Sequence, residues 1–401
     1  MATNYDLPHW HPRYRAGWQR QYHCLPRWAR LMAITTVSLF GILGLIHGLR
    51  DIHDNSLKQQ RTDFGSLRDP SAIWPPSQPM RIVTREHHID DRYHYVRHLG
   101  QGAEGSTSLY VDLSTSEKVV VKTFKNVARN ELPPSLLVSD IGNYTATWPT
   151  EIEAGLLLGG ASAEGSFVRV LDYFVLQSED HWSWALVTPF VSGGTLGNLA
   201  ARERRREKIS PEQWDELYRP VFNNLLSALT SLHETGLCHD DIKPNNILVE
   251  SNDHWLIGDL GGVRHKTHSW HSTVTWQHQN QWPDCKSNDV RRALKSYLWF
   301  LREASADNLD FDRQFWERNS SWSKMYWNYV RHPYVVRITA VQNGVETSEV
   351  TTGLQDRHLE PDTAMLRESN AELGRATLAE LTCTTVPRRL WKHWWWWFWM
   401  A

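Results

Sequence analysis

The sequence predicts an α+β fold of two lobes, a small β-rich one followed by a larger helical one. Short β-like runs, SLYVDL and KVVVKTF among them, dominate from about Tyr93 to Val187. From about Thr195 the pattern turns helical. In WDELYRPVFNNLLSALTSLH, residues Trp214, Leu217, Val221, Leu225, Leu229 and Leu232 recur at helical spacing. No internal repeat is visible, and 401 residues suit one large two-lobed domain with extensions.

Composition narrows the function classes. A formal net charge of -2 argues against a dedicated nucleic-acid binder, which carries a basic excess on one face. The four cysteines, Cys24, Cys238, Cys285 and Cys383, are scattered with no CxxC pair. That pattern speaks against a disulfide-rich scaffold and against a Cys-based zinc site. Twenty-two tryptophans count against wide disorder.

Ahead of the lobes, residues 1–30 set Arg13, Arg15, Arg20, Arg27 and Arg30 against the single acid Asp6. Residues 31–49 then hold no Asp, Glu, Lys or Arg. At helical rise they reach about 28 Å, so a transmembrane helix is expected there, with the membrane as partner. The arginine excess keeps the N-terminus cytosolic and places the following domain on the non-cytosolic side. The sequons Asn143-Tyr-Thr145 and Asn319-Ser-Ser321 are compatible with that side. Residues 50–91, with the Pro-rich patch Ile73 to Pro79, read as a linker or stalk. The two-lobed domain is expected over 92–330. The tail 331–401 lacks sustained periodicity, ends in WKHWWWWFWMA, and is assigned no fold.

Four segments carry chemistry, and their order matters more than any one alone. Leu99-Gly100-Gln101-Gly102-Ala103-Glu104-Gly105-Ser106-Thr107 lies between β-like runs, where glycines let a hairpin backbone approach phosphates. Lys122 ends a buried-looking strand and must find an anion. The third segment, Cys238-His239-Asp240-Asp241-Ile-Lys243-Pro-Asn-Asn246, leads into an apolar strand. The fourth, Leu256-Ile-Gly-Asp259-Leu-Gly261-Gly262, ends a second apolar strand. Two strands delivering Asn246 and Asp259 side by side offer oxygen ligands to a divalent cation of magnesium type.

With these residues in view, the stretch from about Tyr93 to Val330 resembles the eukaryotic protein-kinase domain. The resemblance implies a two-lobed protein-kinase-like fold that uses ATP and Mg2+. It implies that Gly100, Gly102 and Gly105, with Gln101, Ala103 and Glu104 between them and Thr107 beyond, form the nucleotide-covering loop. Lys122 would bind phosphates, paired with an acid of TWPTEIEAGLLLGG, where Glu151 is favoured over Glu153. Asp241 would be the catalytic-loop aspartate, Lys243 its companion, and Asn246 and Asp259 the metal ligands. Thr188 would be the gatekeeper, and Val191 would offer backbone groups to adenine. Lysine two residues after Asp241 implies Ser or Thr hydroxyls of a protein substrate as acceptors.

Three departures qualify the resemblance. Asp240 stands where an arginine is expected, and that arginine would pair with a phosphate on the following segment. Thr273-Val-Thr-Trp276-Gln-His278-Gln279-Asn280 resembles the substrate-docking turn without its final Ala-Pro-Glu. After Asn288-Asp289-Val290, which resembles the anchor of the catalytic loop, the late helical lobe is short. It is expected to hold one helix through Ser296–Leu301 and one over Phe311–Val330. Trp282, Trp299, Trp316, Trp322 and Trp327 are expected to cover the core left bare. Two rival readings stay open. His239-x-Asp241-x-x-x-x-Asn246 also fits small-molecule phosphotransferases, and Asp240 with the short lobe suits a membrane-tethered pseudokinase.

Overall fold

The computed structural model describes residues 27–59, 82–125, 149–206, 208–331 and 360–382, apart from 87, 90, 103, 162–164, 179 and 180. The Arg-rich segment before Arg27, most of the linker, Ala103, Asn143 and the terminal Trp run lie outside the described residues. The chain divides into two compact units, Met1–Gln60 and Arg61–Ala401.

In the first unit, helix α1 spans Arg27–Gln59. Among the described residues no helix is long and apolar enough to cross a membrane, which corrects the span expected over 31–49. Thr35, Thr36, Ser38, His47 and three glycines interrupt the apolar run, and the helix continues into Arg50, Asp51, Asp54 and Lys58.

The second unit begins with strands β1 (Ile82–Glu86), β2 (His88–Ile89), β3 (Tyr93–Gln101), β4 (Gly105–Asp112) and β5 (Glu117–Phe124). Helix α2 (Thr150–Ala161) precedes β6 (Asp172–Ser178) and β7 (His181–Pro189). Strands β3-β4-β5-β7-β6 form an antiparallel sheet, and β1 pairs in parallel with β6 to close it into a barrel. The two-residue period of β5 turns Val119 and Val121 into the barrel core beside Tyr93 and Phe174. The same period turns Val120 and Lys122 to the opposite face, toward a cavity.

The helical lobe holds α3 (Leu196–Arg206), α4 (Pro211–Glu234), α5 (Val274–His278), α6 (Cys285–Ala304), α7 (Asn308–Glu317) and α8 (Ser321–Arg331). Between α4 and α5 lie the short strands β8 (Leu237–Cys238), β9 (Ile247–Val249), β10 (Trp255–Ile257) and β11 (Arg264–His265). Helix α4 starts where the sequence writes Ser-Pro-Glu-Gln: Ser210 and Gln213 cap one another's backbone N–H and Pro211 takes the first turn. Its inward face follows Trp214, Tyr218, Phe222, Leu225 and Leu229. Leu217 sits outside this stripe, 57% exposed, because four-residue steps from Trp214 bring Tyr218 inward instead. Helix α6 runs through the middle of the lobe; Tyr297 stacks on Phe222 with ring centroids 4.2 Å apart.

The helix expected over Phe311–Val330 is two helices. The backbone turns left-handed at Arg318 and ends α7. Trp316 and Trp322 are buried, and Trp282, Trp299 and Trp327 pack partly buried against the same core. The tail adds a piece the sequence did not announce. Residues 360–382 carry α9 (Asn370–Leu381), capped by Ser369. Leu373 and Leu381 enter the lobe core, and Thr377 accepts a 3.0 Å bond from the Trp316 indole. Glu380 meets Lys295 at 3.2 Å and accepts from the Tyr326 hydroxyl. Apolar periodicity is weak in α9 because only one narrow stripe is covered.

Cys238 and Cys285 form a disulfide across 47 residues of sequence. Spacing could not announce it, since the partners meet only when β8 packs on the start of α6.

Leu373→Ala should lower stability by about 2–5 kcal/mol, the range for emptying a packed leucine site. Urea unfolding of the full chain measures this, and an unchanged midpoint would mean that α9 does not hold the lobe.

Candidate active site

The cavity facing Lys122 encloses about 690 Å3 between the barrel and the helical lobe. Its walls are apolar near Thr188, where Val120, Leu186 and Leu248 supply flat surface for a ring. Its floor is polar, formed by Asp241, Lys243, Asn246 and Asp259.

The roof is the β3–β4 turn. The Gly102 N–H donates to the Gly105 carbonyl at 2.8 Å, closing the hairpin. A Cβ on Gly105 would stand 2.2 Å from the Thr123 carbonyl oxygen, so only glycine fits between β4 and β5. Gly100, Gln101, Gly102, Glu104 and Thr107 line the cavity.

Lys122 Nζ meets Glu151 of α2, and lies 3.3 Å from Asp259 Oδ1 and 3.5 Å from Glu104 Oε2. Burial opposes the lysine's charge, but Glu151, Asp259 and Glu104 outweigh it and hold the ammonium above its ordinary value. Burial pushes the Glu151 carboxyl up to about 7, against the pull of Lys122. Burial also acts on Asp259, yet Lys122 wins there and keeps that carboxyl below its ordinary value.

Strands β9 and β10 set the metal-type donors together. Their antiparallel register pairs Ile247 with Ile257. The residues just outside that pair meet as well, for the Gly258 N–H donates to the Asn246 carbonyl at 2.8 Å. Asp259 follows in the left-handed conformation, at φ 55°. The Asn246 amide donates to the Asp241 carboxylate at 3.1 Å and to its carbonyl at 2.9 Å, leaving the amide oxygen as an acceptor. Three carboxylates converge on one lysine, an excess of negative charge that a divalent cation relieves, and Asp259 and Asn246 are hard oxygen donors suited to one.

Asp241 is held from three sides. Lys243 Nζ donates to its Oδ2 at 2.6 Å, Asn246 shares that oxygen, and its own N–H donates to His239 Nδ1 at 3.3 Å. With Nδ1 accepting, His239 Nε2 is the donor to the Gly258 carbonyl at 3.1 Å. Beneath the loop, Asp289 of α6 accepts from the His239 N–H at 2.6 Å and the Asp240 N–H at 2.9 Å. It also faces His233 Nε2 at 3.1 Å. Asp289 is fully buried; burial favours its protonated form, but its interactions with His233 and His239 together outweigh it and hold the carboxyl below its ordinary value.

The structure thus brings Lys122, Glu151, Asp241, Lys243, Asn246 and Asp259 to one cavity, with Thr188 on its wall. Val191 is not part of the cavity wall; its carbonyl accepts from the Gly194 N–H at 3.1 Å. Sequence reasoning did not single out His233 or the bracing bonds of His239. The only available signal was a polar residue inside an apolar helical stripe, which is ambiguous without a partner.

A family model described as the protein kinase domain matches residues 93–280. The chain is 28% identical over 177 residues to serine/threonine-protein kinase D of Synechocystis, covering 43% of this chain and 30% of that one. It is 30% identical over 184 residues to the probable serine/threonine-protein kinase MARK-C of Dictyostelium discoideum, covering 46% and 21%. It is 30% identical over 197 residues to serine/threonine-protein kinase UCNL of Arabidopsis thaliana, covering 48% and 42%. The chain therefore spans less than half the length of each of these curated relatives.

Asp289→Ala should cost about 3–5 kcal/mol, because it strips two loop N–H groups and His233 of their partner in a buried place. The sign of the pH effect follows from the lowered carboxyl. Its stabilisation is present above the ordinary aspartate value and is lost as pH falls below it. Wild-type stability should therefore drop more steeply than that of the variant on the acid side, measured by urea unfolding from pH 6 to 3. Parallel curves would show that Asp289 is not the charged anchor.

Proposed function

We propose, on the premise that this chain belongs to the eukaryotic protein kinase superfamily, that it transfers the γ-phosphoryl group of ATP to Ser or Thr hydroxyls of protein acceptors. The observation that carries this reading is the placing of Asp241, Lys243 and Asn246 across one cavity from the Lys122–Glu151–Asp259 group. The relatives named above are Ser/Thr kinases by name, which favours the same acceptor class.

Lys122, fixed by Glu151, holds phosphate oxygens by charge, and the Gly100–Gly105 turn covers them with backbone. Asn246 and Asp259 would hold magnesium, which neutralises charge on the phosphates when bound. Asp241 accepts a hydrogen bond from the acceptor hydroxyl and aims its oxygen at the γ-phosphorus. As that O–P bond forms, the bond to the β-phosphate oxygen breaks, ADP leaves, and the hydroxyl proton passes to Asp241. Lys243 offsets charge on the transferred group. Positioning and fixed charge supply the acceleration, with no covalent enzyme intermediate.

The test is phosphoryl transfer from Mg-ATP to generic protein acceptors by the full chain, with Asp241→Asn and Lys122→Met beside it. Each variant should lose about 10²-fold or more. ATP binding without transfer would favour the pseudokinase reading, and transfer only to small molecules would favour the other rival. A folded chain that binds no ATP would overturn the site assignment.

We also place the domain in an oxidising compartment. The Cys238–Cys285 bond favours this, since such bonds persist where thiols are oxidised and are rare in the cytosol. Closing that loop is worth about 4 kcal/mol by chain entropy. In chain isolated under acid quench without reductant, both cysteines should resist alkylation until reduced. Two freely alkylated thiols would refute the placement.

A further inference from the structure

Asp240, next to the catalytic aspartate, has no part in the transfer chemistry above. Its side chain is nevertheless only 3% exposed. Its backbone is left-handed, at φ 64°, a conformation that an L side chain resists. An imidazole and a guanidinium from the segment after Asp259 converge on one of its oxygens. His271 Nε2 stands 2.8 Å from Oδ2, and Arg264 Nη1 stands 3.4 Å from it. The other oxygen, Oδ1, has no hydrogen-bond partner among the described residues. A half-satisfied buried carboxylate on unfavourable backbone is a poor way to gain stability.

The two side chains come from points that define the path of the segment. Arg264 lies in β11, which pairs with Cys238 of β8 just ahead of the catalytic loop. Its Nη1 also donates to the Gly262 carbonyl at 2.8 Å. His271 lies in the turn Ser269–Ser272, with Nδ1 3.3 Å from the Lys266 carbonyl oxygen. Both ring nitrogens thus lie within hydrogen-bond distance of an oxygen, which fixes the plane of the ring. The ring packs against Trp276 at 4.9 Å between centroids. Trp276 sits in α5, whose cap Thr273 accepts its N–H at 3.1 Å. One carboxylate therefore ties the start, the turn and the docking helix of the segment to the loop that carries Asp241.

We propose that Asp240 is a positioning residue: its carboxylate clamps Arg264 and His271, and so holds segment 262–276 in place to present the acceptor polypeptide to Asp241 without phosphorylation of that segment. The charges are opposite to those of a loop arginine waiting for a phosphate. Here the anion is built into the loop, and the Arg264 guanidinium and the His271 ring that meet it are built into the segment, so the attraction needs no modification. The role in acceptor presentation rests on the transfer activity proposed above; the clamp itself does not.

The test uses the full chain with Asp240→Asn, which keeps shape and tolerance for left-handed backbone while removing the charge. Amide exchange over 262–276 should accelerate about tenfold, as expected for loss of charged hydrogen bonds. The KM for protein acceptor should rise by a similar factor while the KM for ATP stays within about twofold. His271→Gln should reproduce both effects, and the double variant should be no worse than either single one. Phosphatase treatment of the wild type should leave its activity unchanged. Unchanged exchange in Asp240→Asn would overturn the clamp, as would both KM values rising together or additive losses in the double variant. Activity lost to phosphatase would overturn independence from phosphorylation. If Asp240→Asn does not fold, His271→Gln decides by the same readouts. If wild type transfers no phosphate, the kinase reading fails, and exchange still decides the clamp.

Discussion

The buried carboxylate of Asp289 is the point from which the rest of the site hangs. The loop from Cys238 to Asn246 has almost no regular structure, so its N–H groups need partners that no strand or helix provides. Asp289 supplies two of them, to His239 and Asp240, and meets His233 on α4 as well. It thereby joins a central helix, a second helix and the loop that carries Asp241 through one side chain. His239 then braces Gly258 and the Asp241 N–H, and Gly258 in turn is bonded to Asn246. The positions of Asp241, Asn246 and Asp259 follow from this chain of short bonds, each leaving little room for the next residue to move.

Charge is arranged around that frame in two layers. Inside the cavity the Lys122 ammonium meets Glu151, Asp259 and Glu104, while the Lys243 ammonium meets Asp241. Outside it, Asp240 balances Arg264 and His271. The adjacent aspartates Asp240 and Asp241 thus face opposite ways, one toward the cavity and one toward the segment that follows Asp259. The left-handed backbone at Asp240 is what turns them apart.

The helical lobe is stabilised by aromatic rings and by the return of the tail. Trp322 stacks on Phe311 at 4.4 Å, and Trp316 bonds to Thr377 of α9. Large flat side chains fill the lobe core at the cost of few rotamers per area covered. Glu380 completes the lobe by meeting Lys295 and Tyr326, so that cations buried on α6 keep an anionic partner.

The sequence by itself determined the two-lobed order, the face of β5 that carries Lys122, and the loop that carries Asp241, Lys243 and Asn246. These depend on periods and spacings of a few residues, where backbone geometry links neighbours directly. Asp289 was marked as the anchor only by the resemblance of Asn288-Asp289-Val290 to the protein-kinase pattern. Only the tertiary structure decided which acid of α2 meets Lys122, because Glu151 and Glu153 differ solely by how the helix is rotated against the barrel. The same holds for Cys238 with Cys285, for Asp240 with Arg264 and His271, and for α9 against α7. Each joins residues far enough apart in the chain that their meeting is set by packing of whole elements, and no local pattern records that packing.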